Sequence, residues 1–353
     1  MKVSLYDLAN IYENEVKKNV RNKKKLMEFE KHKLEYLTDI KRVLETNSYD
    51  GGKYNIFLVF EPKVRVIMAQ SIYDKVINHY ITRFILMPKL EKYLGDRNCA
   101  TRKGMGTTYA INLLKDEIEK FKKYDTFYFL KLDMSKYFYT LDHQVIISKI
   151  EKDLTPEELN LVKILLDSTN KPYINKKIEY FEKKCNVVLP KYEYGKGLAI
   201  GNLSSQFLAI LYLSDLQYYI TNNLKISFIS YMDDYILMHE SKDYLKNSLD
   251  IIKDKLENEY MLKLNEKKTN IFNCKQEFEF LGYTFKVVDK KTIIKIKGKK
   301  RQMIRKGIKR ANYLYKNNYI KFNQYFSSIE TFKNGYLFVD KKRMKDFVNK
   351  YNG

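Results

Sequence analysis

The stretch FISYMDDYILMH, residues 228–239, sets two adjacent carboxylates, Asp233 and Asp234, inside an apolar, aromatic and β-branched run. Such a run reads as two strands meeting at a tight turn. Two acids in a turn are ordinarily a solvated hairpin tip. Here the neighbours on both sides read as buried, and like charges held together in a rigid sheet are costly unless a cation neutralises them. The fold must either leave this tip in water or supply positive charge to it.

A second strand offers a partner. DTFYFLKLD, residues 125–133, is a continuous apolar and aromatic run that ends on Asp133. Carboxylates at adjacent strand ends suit divalent-metal phosphoryl transfer. Mg²⁺ prefers oxygen ligands, keeps several waters, and takes one or two carboxylates plus substrate phosphates. Two such ions, about 3.5 to 4 Å apart, activate a hydroxyl nucleophile and stabilise the leaving group. Other chemistries find little support. The three cysteines (Cys99, Cys185, Cys274) and four histidines are scattered, without zinc-site or disulfide spacing. The cysteines are expected to be reduced packing residues.

The chain is long enough, at 353 residues, for two or three structural units. With 66 Lys and Arg against 43 Asp and Glu it carries a formal charge of +23, which suits a polyanionic partner. Residues 286–353 hold +16 of that charge. Within them KGKKRQMIRKGIKRANYLYK reads as a basic helix with interleaved tyrosines, a nucleic-acid-binding pattern. Neither a signal peptide nor an apolar run of membrane-spanning length is present in the sequence, so the expectation is a cytoplasmic protein without a membrane partner.

Along the chain, a helical arm is expected over about residues 1–50. Two short strands broken at Glu61-Pro62 follow, with Lys63 and Arg65 just beyond the turn. CATRKGMGTTYA, carrying Arg102 and Lys103, reads as a basic glycine-bearing loop. Thr155-Pro156-Glu157-Glu158 is a strong helix start. KGLAIGNLSSQFLAILYL reads as a glycine-bearing loop opening a long apolar helix.

In order, Lys63-x-Arg65, LDMSKYF, LAIGNLSSQ, YMDD, LNEKKT and FLGYTF resemble the successive motifs of reverse transcriptases, over about residues 55–285. AIGNLSSQF and the CATRKGMGTTYA loop look most like the bacterial enzymes of diversity-generating retroelements. Ala199 departs from the family, which commonly has proline there. Ile200 stands where retroviral and group II intron enzymes usually carry glutamine.

The resemblance implies an α+β right-hand polymerase fold. Fingers and palm would occupy residues 1–285, with an antiparallel palm sheet, and a helical basic thumb residues 286–353. It implies RNA-directed DNA polymerase activity with two Mg²⁺ ions, or Mn²⁺ in their place. The partners implied are template RNA, primer and cDNA, deoxynucleoside triphosphates (dNTPs) and a small basic accessory protein. Asp133, Asp233 and Asp234 match the catalytic carboxylates, and the Met134 carbonyl a further metal ligand. Lys63, Arg65, Phe138, Ile200, Gly201, Gln206 and Lys268 match nucleotide-binding positions. Phe280, Leu281, Gly282 and Tyr283 match the primer grip. Arg102, Lys103, Lys299, Lys300, Arg301, Arg305, Lys306, Lys309 and Arg310 are expected to meet nucleic acid. An antiphage defence enzyme acting on a dedicated non-coding RNA, and a catalytically idle RNA-binding protein, are the alternatives.

Overall fold

The structure, a computed structural model, describes residues 2–60, 63–334 and 338. The N-terminal arm consists of α1 (Leu5–Ile11), α2 (Lys23–Lys31) and α3 (Lys33–Glu45). In α3 the apolar residues fall at helical spacing, so Leu37, Ile40, Val43 and Leu44 are buried on one face. β1 (Asn55–Val59) and β2 (Arg65–Ala69) then pair antiparallel, with Val59 opposite Arg65. The turn expected at Glu61-Pro62 lies outside the described residues.

α4 (Ile72–Tyr80), α5 (Met87–Leu90) and α6 (Thr107–Phe121) lead to β3 (Tyr128–Asp133). Next come α7 (Tyr137–Thr140), α8 (His143–Ile150), α9 (Pro156–Asp167), α10 (Pro172–Cys185), α11 (Leu203–Tyr212) and α12 (Ser214–Asn222). α9 starts where the sequence predicts. Thr155 and Glu158 exchange side-chain-to-backbone hydrogen bonds in a capping box, and Pro156 occupies the first turn. β4 (Ser227–Tyr231), β5 (Asp234–His239), α13 (Lys242–Asn258) and β6 (Asn270–Asn273) follow.

β3 to β6 form one antiparallel sheet in the order β4-β5-β3-β6. Side chains alternate across it with period two. Leu130 and Leu132 of β3 and Tyr235 and Leu237 of β5 join the large core shared with the arm and with α11 and α12. Phe129, Ile236 and Met238 face the opposite core, under α6 and a second sheet. That sheet comprises β7 (Phe278–Phe280), β8 (Tyr283–Val288) and β9 (Lys291–Ile296). Phe129 and Phe278 join the two sheets, their ring centroids 4.2 Å apart.

α14 (Gly298–Lys316) and α15 (Phe322–Asn334) complete the described chain. The basic helix expected from the sequence is α14, whose Ile304, Ile308 and Ala311 pack with Ile329 of α15. The expected division at 285/286 falls inside β8. Cys99, Cys185 and Cys274 are free thiols, the first and last buried. Among the described residues no helix is long and apolar enough to cross a membrane.

Candidate active site

β3 and β5 end together, with Asp133 directly opposite Asp234. By strand alternation both belong to the sheet face that carries Phe129 and Ile236. Tyr231 and Asp234 close the β4–β5 hairpin, leaving Met232 and Asp233 as a two-residue turn. Met232 has φ +57°, a left-handed conformation that costs a residue with a side chain about 1 to 2 kcal/mol. The tight turn fixes Asp233 beside the Asp133–Asp234 pair. The tip is therefore half-buried and not a solvated loop.

Like charges directly opposite each other destabilise a sheet, and the structure surrounds these with cations. Asp133 is 7% exposed, and Lys268 Nζ donates to both its carboxylate oxygens, at 2.7 and 2.8 Å. Asn265 Nδ2 adds a bond of 3.1 Å to the same carboxylate, and Asn265 N donates to the Asp133 carbonyl at 2.8 Å. Lys131, two residues back on the same strand face, brings Nζ to 3.8 Å from Asp234 while donating to the Glu279 carbonyl at 2.9 Å.

Burial pushes the Asp234 carboxyl up to about 6; Lys131 opposes the shift, and Asp233 and Asp133 add to it. Asp233 is raised by burial and by Asp133, against its own backbone hydrogen bond and the charges of Arg65 and Lys268. Burial works against the Lys268 ammonium, yet its bonds to Asp133 prevail and hold it above the ordinary lysine range. Lys63 is pushed down by the Lys268 charge first, then by burial. The β1–β2 hairpin thus sets Lys63 within electrostatic reach of Asp133 and Arg65 within reach of Asp233.

The other expected residues fall into three groups. Ile200 lies against the same hairpin, its carbonyl accepting from Met68 N at 2.9 Å. Gly201 follows at φ +126°, where an added Cβ would stand 3.1 Å from the Met68 carbonyl. Gln206 is half-buried in the first turn of α11, and Phe138 is half-buried against the large core. Met134 is buried in an isolated bridge to Leu264, immediately after Asp133.

Phe280 and Tyr283 are buried strand residues, so their side chains face the core. Leu281 and Gly282, both at positive φ, make the two-residue turn between them. Any grip on a nucleic acid must therefore come from the turn. Lys299, Arg301, Lys306, Lys309 and Arg310 are exposed on α14 and Arg305 is half-buried there. The Lys300 ammonium is half-buried, 3.7 Å from the Tyr283 ring centroid. Lys103 is exposed, but Arg102 requires a correction. Its side chain is 9% exposed and bonds the Glu91 carboxylate and the Gly95 and Asn98 carbonyls, so it ties its own loop together.

Among the described residues no three His, Cys, Asp or Glu side chains form a ready-made metal cage. The acids nevertheless suit Mg²⁺, which uses few carboxylates and completes its shell with water and phosphate. Their oxygens are hard donors, and they stand at the ends of two paired strands and the adjoining turn. Lys131 and Asn265 belong to the site without having been singled out in the sequence. Lys131 carried a signal, being two positions before Asp133 on a strand. Asn265 lies within the LNEKKT motif, but its contact with Asp133, 132 positions away, is not legible from that stretch.

A central antiparallel sheet with acids on its adjoining strand ends, helices behind it and a basic helical segment beyond defines a right-hand polymerase fold. Residues 55–285 match the family profile "Reverse transcriptase (RNA-dependent DNA polymerase)", and the chain belongs to that family of nucleotidyltransferases. No curated protein sequence matches it. Among solved structures it is similar to apo telomerase from Candida tropicalis truncated from its C-terminal domain, at 14% identity and TM-score 0.46, over 70% of this chain and 56% of that one. It is also similar to telomerase from Candida albicans in complex with a fragment of telomeric RNA, at 15% identity and TM-score 0.47, over 72% and 46%. The chain spans about half the length of these telomerases.

Proposed function

We propose that the protein is an RNA-directed DNA polymerase, extending a primer on a template RNA with dNTPs. The observation that carries this reading is the register of β3 and β5, which sets Asp133 opposite Asp234 with Asp233 in the adjoining turn, all under the field of Lys63, Arg65 and Lys268. In this reading the three carboxylates and the Met134 carbonyl would hold two Mg²⁺ ions, with Mn²⁺ as a substitute. When bound, the ions supply activation of the primer hydroxyl and charge neutralisation at the pyrophosphate.

The chain's own groups do the rest. Lys63 and Arg65 hold the triphosphate, the guanidinium through paired hydrogen bonds and the ammonium as a point charge. Lys268 releases Asp133 and gives a proton to the departing pyrophosphate. Ile200, Gly201 and Gln206 flank the nascent base pair, and Phe138 lies beneath the sugar. The Leu281–Gly282 turn meets the primer end. Lys103 and the exposed basic face of α14 hold the nucleic-acid backbone. Residues 1–285 act as fingers and palm and 286–353 as thumb.

At a finer level the reading is a bacterial enzyme of a diversity-generating retroelement. It makes error-prone cDNA in the cytoplasm beside a small basic accessory protein. AIGNLSSQF supports it, because the aliphatic Ile200 cannot hydrogen-bond the nascent pair as glutamine would. The activity is tested by extending oligo(dT) on poly(rA) with dTTP and Mg²⁺. Extension that EDTA abolishes is expected; no extension by a protein that still binds RNA overturns the reading. A near-duplicate DNA repeat differing at adenines beside the gene supports the retroelement. A structured non-coding RNA gene without such a repeat contradicts it.

A further inference from the structure

A cavity of about 730 Å³ opens between the N-terminal arm and the start of α4, apart from the aspartates. Phe29, Tyr36, Ile72 and Tyr73 give it an aromatic and apolar lining, and Lys24 and Lys25 line it as well. Tyr36 stacks on Phe29 with centroids 5.0 Å apart and meets Tyr73 edge-on at 6.3 Å. The Tyr73 hydroxyl is fixed by the Asp39 carboxylate at 2.7 Å. The rings are therefore held in place before any ligand arrives.

In the cavity lining two lysines face one acid. Lys24 and Lys25 are exposed, and neither makes an ion pair among the described residues. Lys75, at the end of the first turn of α4, also lacks a carboxylate partner among the described residues; burial and the nearby Lys25 charge push its ammonium down. Glu28 is the acid in the lining. Fixed rings with unneutralised ammonium groups beside them match a ligand that is flat and aromatic at one end and anionic at the other.

We infer that this cavity holds one unpaired nucleotide of single-stranded RNA, its base against the Tyr36 and Tyr73 rings and its phosphates on Lys24 and Lys25. An RNA strand is favoured over a free nucleotide by the position of the cavity. β2 runs from Arg65 towards the arm, and Ser71, which lines the cavity, follows it two residues after Ala69. At about 3.3 Å per strand residue the cavity opens roughly 20 Å from Arg65. A single strand of a few nucleotides entering the polymerase site can span that distance and reach both.

The site reads a base by its face. Ser71 Oγ is engaged with Asp74 and Asn22 Oδ1 with Lys25 N, which leaves few lining groups to read a base edge: the Asn22 amide group, the Tyr36 hydroxyl and the Glu28 carboxylate. Weak sequence preference follows. The inference rests on the reading of RNA as template, but its test measures binding alone and is independent of synthesis.

The experiment uses the full chain and a labelled, unstructured twelve-nucleotide RNA carrying 4-thiouridine. Lys24→Glu with Lys25→Glu, both at exposed positions, should weaken binding by about tenfold. It should also flatten the dependence of log affinity on log salt by roughly 1.4, two phosphate contacts for a single strand. Extension of a primer on a template with a one-nucleotide overhang should be unchanged. In the wild type, photo-crosslinks should map to the peptides containing Tyr36 and Tyr73. Unchanged affinity and salt slope in the variant, or crosslinks that avoid both tyrosines, overturn the inference. So does AMP or UMP protecting the tyrosine peptides when RNA does not, since that assigns the cavity to free nucleotides.

Discussion

Asn78 is a fully buried side chain that joins α4 to the helix following the LAIGN loop. Its Nδ2 donates to Ser204 Oγ at 2.7 Å, and its Oδ1 accepts from Ser204 N at 3.1 Å. Ser204 is itself 2% exposed, in the first turn of α11, where a backbone N–H has no acceptor within its own helix. Asn78→Leu keeps most of the volume and strands both Ser204 groups away from water. Each stranded group costs about 1 to 3 kcal/mol, so a destabilisation of roughly 2 to 5 kcal/mol is expected in urea unfolding. Adding Ser204→Ala removes one stranded group and should recover about 1 kcal/mol or more. Because α11 follows the loop that seats Ile200 against Met68, KM for dNTP should rise more than kcat falls. A loss below about 0.5 kcal/mol, or no recovery in the double variant, would refute the reasoning.

Three further outcomes follow from the same geometry. Burial lowers the Lys300 ammonium from 10.5 to about 8. Between those values the unfolded chain holds the proton and the folded one has lost it, so stability rises with pH across that window; below it both states are protonated and the folded state bears the full cost. Discounted for partial exposure, the rise is about 1 to 2 kcal/mol, and Lys300→Met should abolish it in unfolding measured from pH 7.5 to 10.5. Lys268→Ala leaves Asp133 with Asn265 as its side-chain partner; a fall in kcat of about a hundredfold is expected in single-turnover extension, and a wild-type kcat would exclude proton transfer by Lys268. Phe138→Ala should raise ribonucleotide over deoxynucleotide use in single-nucleotide extension, whereas an unaltered ratio with lower stability marks Phe138 as a packing residue alone.

The aspartates were legible because their signal is local: an acid closing an apolar strand, and an acid pair at a tight turn. The α9 capping box and the α14 basic helix were legible for the same reason, since capping and helical charge patterning act within a few residues. The amide contacts that brace the site were not. Asn265 reaches Asp133 across 132 positions and Asn78 reaches Ser204 across 126, and neither stretch of sequence carries a mark of the other. Arg102 misled because a lysine-and-arginine loop has the same composition whether its guanidinium faces solvent or bonds Glu91 and two carbonyls. FLGYTF was matched to a primer grip, but only the structure tells that Phe280 and Tyr283 point inward and that the half-buried Leu281–Gly282 turn joins their strands.

The account stands most directly on Asp233. Asp233→Asn removes one carboxylate charge at the turn and leaves the basic surfaces unaltered. RNA-templated single-nucleotide extension and RNA affinity by fluorescence anisotropy should be measured on the same preparation of wild type and variant. The predicted result is extension reduced to background with RNA affinity within about twofold of wild type. Extension at the wild-type rate by the folded variant would contradict it.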